Sequence, residues 1–287
     1  MNNDFLNIME TRSKRLSKSH RRIAEYVSQN FDKVAYMTAA KLGNAVGVSE
    51  STVVRFAIEC GFEGYPEFSR HLHELIPSKL TSAQRTEITN MRLEEGEILN
   101  KVLSSDIDKL KNTLSQIDQK VFYSAADAII NSRNIYIMGV RSSSALAGFM
   151  HYYFSLIFDN VRLISSTTGS EMFEQIFKAG KGDIVIGISF PRYSKRVVHA
   201  MEYAKSKGAC LIALTDSSES PIARPADYTL LAKSDMVSFA DSLVAPMSII
   251  NALIATIGKK KGDHIQKVFN ELEALWDEHD VYEKSNA

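Results

Sequence analysis

The stretch from Thr38 to Gly61, TAAKLGNAVGVSESTVVRFAIECG, constrains the fold of this chain more than any other part of its sequence. It predicts two short amphipathic helices around a tight turn. Thr38 is placed to cap the first helix, Gly47 to supply the positive φ of the turn, and Ser49 to cap the second helix. The apolar residues that we expect to face inward are Ala39, Leu42, Val46, Val53, Val54, Ala57 and Ile58.

The outer side of the second helix carries Ser51, Thr52 and Arg55 near its beginning. This is the layout of a helix-turn-helix, in which the first residues of the second helix reach base edges and phosphates in a DNA major groove. An ordinary helical hairpin is the alternative. However, the glycine turn, the capping serine and the outer face of hydroxyls and arginine occur together at the required spacing. We therefore expect DNA contacts from Ser49, Ser51, Thr52 and Arg55.

The charge of the chain is unevenly distributed, although its formal net charge is zero. No acidic residue lies between Thr11 and Arg22, and this segment contains Arg12, Lys14, Arg15, Lys18, Arg21 and Arg22. A solvated helix face is one explanation for such a run. Beside a helix-turn-helix, a basic helix that crosses the phosphate backbone is the better explanation. We expect phosphate contacts from Lys18, Arg21 and Arg22.

Length and composition exclude several classes of protein. With 287 residues, of which 45% are hydrophobic, the chain can fill at least two cores. Its N-terminus is polar and no apolar run is long enough to span a membrane, so we expect a cytoplasmic protein without a membrane partner. The only cysteines, Cys60 and Cys210, lack paired spacing, and the seven histidines are scattered. We expect reduced thiols, no metal and no cofactor.

The hydrophobic patterns divide the chain into three parts. Residues 1–77 predict an all-α helix-turn-helix domain, residues 78–97 a polar and at least partly mobile linker, and residues 98–287 an α/β domain. Two amphipathic helices, near 98–114 and 121–129, begin the last part. We expect them to pack on the rest of that domain or on a partner subunit.

Beyond Asn134, short apolar strands alternate with helices. This alternation predicts a parallel five-stranded sheet with helices on both faces. The predicted strands are 135–138, 161–164, 183–188, 210–214 and 228–231. The predicted helices are 142–158, 170–179, 193–207, 241–260 and 263–277.

Two predicted strands are followed by loops that are rich in hydroxyl groups. Gly139–Ser144 follows the first strand and Ser189–Arg196 follows the third, and each leads into a helix. Hydroxyls, helix N-terminal amides and an arginine suit a phosphate monoester. Serines that only cap the helices are the alternative, but three consecutive serines after Arg141 exceed that need. The candidate ligand-binding residues are Arg141, Ser142, Ser143, Ser189, Arg192, Tyr193 and Ser194.

These loops, together with Leu214-Thr215-Asp216, resemble the sugar isomerase (SIS) domain, a phosphosugar-binding fold. With Thr38–Gly61 and the following segment 61–68, the whole chain is similar to RpiR-family transcriptional regulators. The resemblance implies a dimer that binds operators near carbohydrate-use genes and responds to a phosphorylated sugar or amino sugar. It also implies that Ser143, Ser189 and Ser194 match the hydroxyls of the two SIS loops.

The chain departs from the SIS pattern at three positions. Arg141 stands where many SIS loops have glycine, and Pro191 and Arg192 stand where the enzymes commonly have a Ser-Gly pair. A proline has no amide to offer a phosphate, so the second loop must bind an anion differently. Arg141 or Arg192 can supply charge instead.

Two other classes of function compete with a regulator. A phosphosugar isomerase with an appended helical domain needs a base, for which Glu171, His151 and His199 are available. No motif connects these three residues to the hydroxyl loops, so we do not expect an enzyme. A module that acts only through protein partners leaves Arg55 and the basic run unexplained.

The mechanism that follows is a population shift. A sugar phosphate bound between the hydroxyl loops favours one arrangement of paired SIS domains and thereby changes the spacing of two recognition helices. The ligand either strengthens or releases DNA binding. The expected assembly is a homodimer or a tetramer of two dimers.

Overall fold

The computed structural model describes residues 16–75, 81–92, 95–165, 169–236 and 238–282. The chain divides into two compact units with a boundary between Lys101 and Val102, and residues 238–240 group with the first unit. Within the described ranges, no helix combines the length and the apolarity that a membrane span requires.

The described part of the first unit is helical. Its core is built from aromatic and branched side chains of several helices, and the rings of Phe56 and Phe68 meet edge to face at 5.8 Å. The fully buried residues include Ile23, Val27, Leu42, Val53 and Leu72. Its helices are α1 (Lys18–Gln29), α2 (Phe31–Val34), α3 (Ala39–Val46), α4 (Glu50–Glu59), α5 (Tyr65–Leu75) and α6 (Ser82–Arg92), and the chain then forms a short 3-10 helix, Glu95–Glu97.

One prediction about the inner face of α4 is wrong. Val53 and Ala57 are buried as expected, but Ile58 is 52% exposed and Phe56 is completely buried. Successive helical residues are about 100° apart, so Phe56, three residues after Val53, shares its face whereas Ile58 does not. Ile58 was expected to be buried because it is apolar, but its position on the helix points it away from the core.

The segment expected to be a linker contains helix α6. Thr81 and Gln84 form a reciprocal capping box: the Gln84 amide donates to Thr81 Oγ1 at 3.3 Å, and the Thr81 amide donates to Gln84 Oε1 at 2.8 Å. An ion pair of 2.8 Å between Lys33 and Glu87 connects α6 to α2. The polar composition of residues 78–97 concealed this helix because capping and ion pairing stabilise it without an apolar stripe.

The second unit is an α/β domain, as the sequence predicts. Its five strands form one parallel sheet in the order β2-β1-β3-β4-β5. The strands are β1 (Ile135–Gly139), β2 (Val161–Ile164), β3 (Ile184–Ile188), β4 (Cys210–Thr215) and β5 (Tyr228–Leu231). The helices are α7 (Ile98–Gln116), which begins before the boundary, α8 (Gln119–Ile130), α9 (Ser143–Ser155), α10 (Gly169–Ile176), α11 (Lys195–Ser206), α12 (Val244–Lys260) and α13 (Gly262–Glu278).

Hydrophobic cores cover both faces of the sheet. Alternate strand residues, such as Ile135 and Ile137, face α8, α9 and α12 on one side. The residues between them, such as Tyr136 and Met138, face α10 and α11 on the other side. This alternation is the pattern of a sheet that is buried on both faces.

The strand order creates a topological switch point between β1 and β3. After β1 the chain continues through α9 on one face, and after β3 it continues through α11 on the opposite face. The two connections therefore diverge above the carboxyl ends of adjacent strands, where open α/β sheets form a crevice for ligands. Both hydroxyl loops lie at this point.

Candidate functional site

The helix-turn-helix has the local geometry that its sequence predicts. Thr38 accepts a hydrogen bond from the Lys41 amide at 3.2 Å, and Ser49 accepts one from the Thr52 amide at 3.3 Å. Gly47 has φ 73°, a left-handed value that ends α3. The two caps and the glycine turn therefore position α3 and α4 as expected.

The outer hydroxyls of α4 form a cluster at its first turn. Ser49 Oγ lies 2.9 Å from Ser51 Oγ and 2.8 Å from Thr52 Oγ1. One turn further along, Arg55 is exposed and its Nε donates to the Ser51 carbonyl at 3.2 Å. The structure thus brings the four predicted DNA-contacting residues of α4 together on one end of the helix.

The basic side chains of α1 differ in their surroundings. Lys18 and Arg21 are exposed, whereas the Arg22 guanidinium donates to the Val46 carbonyl at the end of α3. This bond gives Arg22 a structural role that sequence reasoning missed. The basic residues Arg12, Lys14 and Arg15 lie outside the described residues.

A second contact connects α1 to α4. His20 Nδ1 lies 2.6 Å from Glu59 Oε2, and the His20 ring meets Phe56 edge to face. Neither residue stood out in the sequence, because the two positions are distant along the chain and belong to no motif. The contact helps to hold the basic helix against the second helix of the motif.

In the second unit, the loop after β1 approaches its helix closely. A Cβ atom at Gly139 would lie 2.5 Å from the Ser143 carbonyl oxygen, so only glycine fits there. Ser143 is 6% exposed, and Ser144 Oγ donates to the Arg141 carbonyl at 2.5 Å. Ser142 occupies the N-cap position of α9 without a side-chain capping bond. Capping therefore does not account for Ser142.

The loop after β3 is built around Ser189, which is 4% exposed. Its Oγ accepts a hydrogen bond from the Ser194 amide at 3.1 Å, and its own amide donates to the Leu214 carbonyl at 3.2 Å. Ser194 is the N-cap residue of α11 and makes no side-chain capping bond to that helix. The buried Ser189 hydroxyl thus orients the backbone that leads into α11.

The two arginines that replace expected glycines hold glycine-like backbone angles. Arg141 has φ 55° and Arg192 has φ 68°. L-residues rarely adopt such values, since the left-handed region costs roughly 1–2 kcal/mol per residue. Both side chains are exposed. The loops therefore keep the backbone path of a glycine-containing loop and add a cation at each of these positions.

Tyr193 and Asp216 form a polar pair at the ends of β3 and β4. The Tyr193 hydroxyl donates to Asp216 Oδ1 at 2.9 Å, and Thr215 Oγ1 lies 3.2 Å from the same oxygen. Burial raises the pKa of the Tyr193 phenol, and the Asp216 charge raises it further. Burial also raises the pKa of Asp216, against the hydrogen bonds from Tyr193 and Thr215. The sequence placed Tyr193 in the ligand site but assigned no role to Asp216.

Comparisons with known proteins agree with this architecture. The family model "Helix-turn-helix domain, rpiR family" matches residues 3–79, and the SIS domain model matches residues 128–256. The chain belongs to the RpiR family. It is a transcriptional regulator with a helix-turn-helix domain and a SIS domain.

Relatives of this RpiR-family chain carry regulator names. HexR of Escherichia coli, an HTH-type transcriptional regulator, is 26% identical over 92% of this chain and 93% of its own length. An uncharacterized HTH-type transcriptional regulator of Clostridium perfringens is 29% identical over 79% of this chain and 80% of its own length. These names agree with the expectation of a regulator rather than an enzyme.

Solved structures share the fold of the RpiR-family chain. Vibrio vulnificus NanR, complexed with ManNAc-6P, has a TM-score of 0.59 at 21% identity and covers 94% of this chain and 97% of its own. The sugar isomerase domain of an RpiR transcription factor from Sphaerobacter thermophilus has a TM-score of 0.59 at 27% identity. It covers 62% of this chain and 99% of its own.

The three possible bases of the isomerase alternative lie on different helices of the RpiR-family chain. His151 is eight residues into α9, about 12 Å along the helix from its beginning. His199 is on the exposed side of α11, and Glu171 is exposed in the first turn of α10. Across the described ranges, His, Cys, Asp and Glu form no group of three that could hold a metal ion.

Proposed function

We propose that this RpiR-family protein binds an operator under the control of a phosphorylated sugar or amino sugar. The observation that carries the proposal is the position of the two hydroxyl loops on either side of the switch point between β1 and β3. Ser143 and Ser189 are buried there, beside the N-termini of α9 and α11 and near two exposed arginines. Hydroxyls, free amides and cations together complement a phosphate group.

The proposed division of labour has three parts, and its boundaries differ from the boundary between Lys101 and Val102 that separates the two units. Residues 1–77 bind duplex DNA, residues 98–287 bind the effector, and residues 78–97 connect them. In the DNA-binding part, Ser49, Ser51, Thr52 and Arg55 contact the operator in the major groove, and Lys18, Arg21 and Arg22 contact phosphates. The protein acts in the cytoplasm, where the operator is accessible.

The effector acts by a population shift. Sugar phosphate bound at the switch point has different affinities for two arrangements of a homodimer, and the preferred arrangement sets the spacing of the two recognition helices. Pairs of dimers forming a tetramer are the alternative assembly. The ManNAc-6P in the NanR complex supports a phosphorylated sugar as the class of effector.

A thermal-shift screen of sugar phosphates tests the effector site. A ligand at 100 times its dissociation constant stabilises the folded protein by about 2.7 kcal/mol. Ser143→Ala and Ser189→Ala each remove a hydrogen bond to a charged phosphate, about 1.5 to 3 kcal/mol, and are expected to weaken binding about ten-fold or more. Ser206→Ala, at the far end of α11, is the matched control and is expected to leave binding unchanged.

Two results would overturn the proposed effector site. One is the absence of stabilisation by every sugar phosphate and by inorganic phosphate. The other is turnover of a phosphosugar that is lost on replacement of Glu171, His151 or His199, which would place the protein among the isomerases. Unchanged DNA affinity of the ligand-free Ser143 and Ser189 variants is the expected companion result, because both residues lie in the second unit.

Operator binding is tested with two variants of different kinds. If Arg55 reads a guanine, Arg55→Ala costs about 1 to 3 kcal/mol and relaxes specificity at one base pair. Lys18→Ala weakens binding to all DNA sequences. It also reduces the slope of the logarithm of the binding constant against the logarithm of the salt concentration by about one. Lys181→Ala, an exposed substitution in the second unit, is the control. Full operator affinity in both test variants would contradict the assignment.

A further inference from the structure

Asp216 lies directly beside the loop that follows β3. It comes immediately after β4, and parallel β3 and β4 pair along their length up to Ile188 and Leu214. Neighbouring strands are about 5 Å apart, so the carboxyl group is one strand spacing from the Ser189 loop and two from the loop after β1. Its bond from Tyr193 at 2.9 Å places it at the border of the proposed phosphate site.

The surroundings of the half-buried Asp216 carboxylate disfavour its charged form. Burial raises its pKa, and the nearby Asp235, just beyond β5, raises it further. The groups that oppose this effect are neutral hydrogen-bond donors: the Tyr193 and Thr215 hydroxyls and the backbone amide of Asp216 itself. Within the described ranges, Asp216 has no ion pair with a lysine or arginine. A carboxylate that is partly removed from water and has no cationic partner is costly, and a cation that arrives from outside relieves that cost.

A buried hydroxyl in the next connection also lacks a partner. Ser234 follows β5, is only 2% exposed, and its Oγ makes no hydrogen bond to any described residue. The Ala232 amide continues the sheet ladder to the Thr215 carbonyl at 2.8 Å, so Ser234 and Asp216 belong to adjacent strand ends. Buried hydroxyls normally have a hydrogen-bond partner. The Ser234 hydroxyl therefore leaves one polar group at this end of the sheet that can still form a hydrogen bond.

Two regions of opposite character thus adjoin at the carboxyl edge of the sheet. The loops after β1 and β3 present amides, hydroxyls, Arg141 and Arg192, which suit an anion. The end of β4 presents the Asp216 carboxylate, which suits a cation. The ligand that matches both regions is a zwitterion with a phosphate at one end and an ammonium group on the adjoining sugar ring.

We propose that Asp216 is the specificity-determining residue of the effector site and accepts a hydrogen bond from the free ammonium group of an amino-sugar phosphate. Tyr193 and Thr215 are positioning residues, since their hydroxyls hold the carboxylate through Oδ1. An N-acetylated or hydroxylated analogue lacks the positive charge. This inference rests on the proposed function and specifies the chemical class of its effector. It also distinguishes this chain from NanR, whose complex contains an N-acetylated sugar phosphate.

Calorimetry on the full-length protein tests the inference with a panel of probes. The panel contains the 6-phosphates of glucosamine, galactosamine and mannosamine, the N-acetyl derivative of each, glucose 6-phosphate and inorganic phosphate. A hydrogen bond to a charged group is worth about 1.5 to 3 kcal/mol, so at least one free amine is expected to bind about ten-fold or more tighter than its N-acetyl derivative.

Variants then assign the preference to Asp216. Asp216→Asn keeps the shape of the side chain and is expected to abolish the preference for the amine, with little change in the binding of inorganic phosphate. Tyr193→Phe retains the carboxylate and is expected to keep the preference, although both ligands bind more weakly. The thermal midpoint of each ligand-free variant checks that it is folded.

The outcomes separate this inference from the proposed function. Sugar-phosphate binding without any preference for a free amine would overturn the role of Asp216 and leave the phosphosugar site intact. A preference that persists in Asp216→Asn would do the same. No binding of any sugar phosphate or of inorganic phosphate would overturn the proposed effector site itself. The wild-type preference is informative even if Asp216→Asn does not fold, because its absence alone refutes the inference.

Discussion

At the scale of single residues, Arg141 and Arg192 show how the two hydroxyl loops tolerate unusual side chains. Both have positive φ, which the fold imposes at these positions, and both residues are exposed. The free-energy cost of the positive φ can therefore be measured separately from the effect of the positive charge. This requires substitutions that change the backbone strain and leave the charge the same.

Arg141→Gly and Arg141→Ala differ only in backbone strain, because both remove the cation. Alanine keeps the left-handed cost of roughly 1–2 kcal/mol, and glycine avoids it at a smaller entropic cost of about 0.5–1 kcal/mol. We expect the glycine variant to be the more stable of the two by about 1 kcal/mol in urea denaturation. Equal stabilities would show that Arg141 does not hold a positive φ in solution. Both variants are expected to bind phosphate more weakly than the wild type.

A second residue-scale effect is the network around Asp183, just before β3. Arg133 binds its carboxylate in a bidentate pair at 2.9 Å, Asn134 donates at 2.8 Å, and the Gly180 amide donates at 3.0 Å. Burial raises the pKa of Asp183, but these bonds outweigh it and leave the pKa lowered. The carboxylate is therefore held in its charged form and joins the start of two strands.

Asp183→Asn is expected to destabilise the protein at neutral pH. The loss is about 1–3 kcal/mol, because buried donors lose a charged acceptor. Since the folded-state pKa is lowered, the stabilisation by Asp183 is present above the unfolded pKa of about 3.9 and disappears as the pH falls through the folded-state value. The stabilities of the variant and the wild type should therefore become similar at low pH, and urea denaturation over a pH series measures this. Asp159→Asn on the exposed surface is the control, and a pH-independent difference for Asp183→Asn would contradict the assignment.

At the scale of elements, the packing of α3 against α4 depends on a glycine outside the turn itself. A Cβ atom at Gly43 would lie 2.8 Å from the Val48 carbonyl oxygen and 3.4 Å from the Glu50 amide. Both atoms belong to the backbone, which cannot move aside as a side chain can. Gly43 therefore sets the separation of the two helices, and Gly47 sets the direction of the chain between them.

Gly43→Ala is expected to destabilise the first unit and to weaken operator binding. Overpacking of this kind costs about 1–3 kcal/mol, because α4 must shift relative to α3. Gly148→Ala is the matched control, since it also lies inside a helix but its Cβ would have no neighbour within 4 Å. That control is expected to gain about 0.5–1 kcal/mol from helix propensity. Chemical denaturation and an operator titration measure both effects, and a stabilising Gly43→Ala would refute this account of the motif.

At the scale of the whole molecule, the expected homodimer would double the number of base pairs that the protein can contact. One helix-turn-helix contacts few base pairs, and a second copy about one helical turn away is the usual route to operator affinity. The chain also has apolar surface for a second copy to cover. On α7, Leu99, Leu103, Ile107 and Leu114 are each more than half exposed.

The expected working unit is therefore a homodimer on a two-fold symmetric operator. Light scattering at micromolar concentration is expected to give twice the chain mass of 32.1 kDa, or four times that mass if dimers pair. Titration of an operator with one half-site deleted is expected to show a large loss of affinity. A monomer in solution that also binds DNA as a monomer would contradict both the assembly and the population-shift mechanism.

Features that depend on neighbouring residues in the chain could be predicted from the sequence. The caps at Thr38 and Ser49, the glycine turn at Gly47 and all five strands follow from contacts within a few residues or from simple periodicity. The order of helix-turn-helix and SIS-like segments also identified the family. Local reasoning failed at Ile58, where the position on the helix was overlooked, and at the helix that the capping box of Thr81 and Gln84 begins.

The remaining features required the tertiary structure, because they join residues that are distant in the chain. The Arg22 side chain donates a hydrogen bond to the Val46 carbonyl, and the Tyr193 hydroxyl donates one to Asp216. The Asp183 carboxylate accepts hydrogen bonds from Arg133 and Asn134. No local pattern encodes these pairs, since each depends on which strands and helices become neighbours. The positive φ of Arg141 and Arg192 has the same origin: packing of strand ends against helices imposes a backbone conformation that the residues alone would avoid.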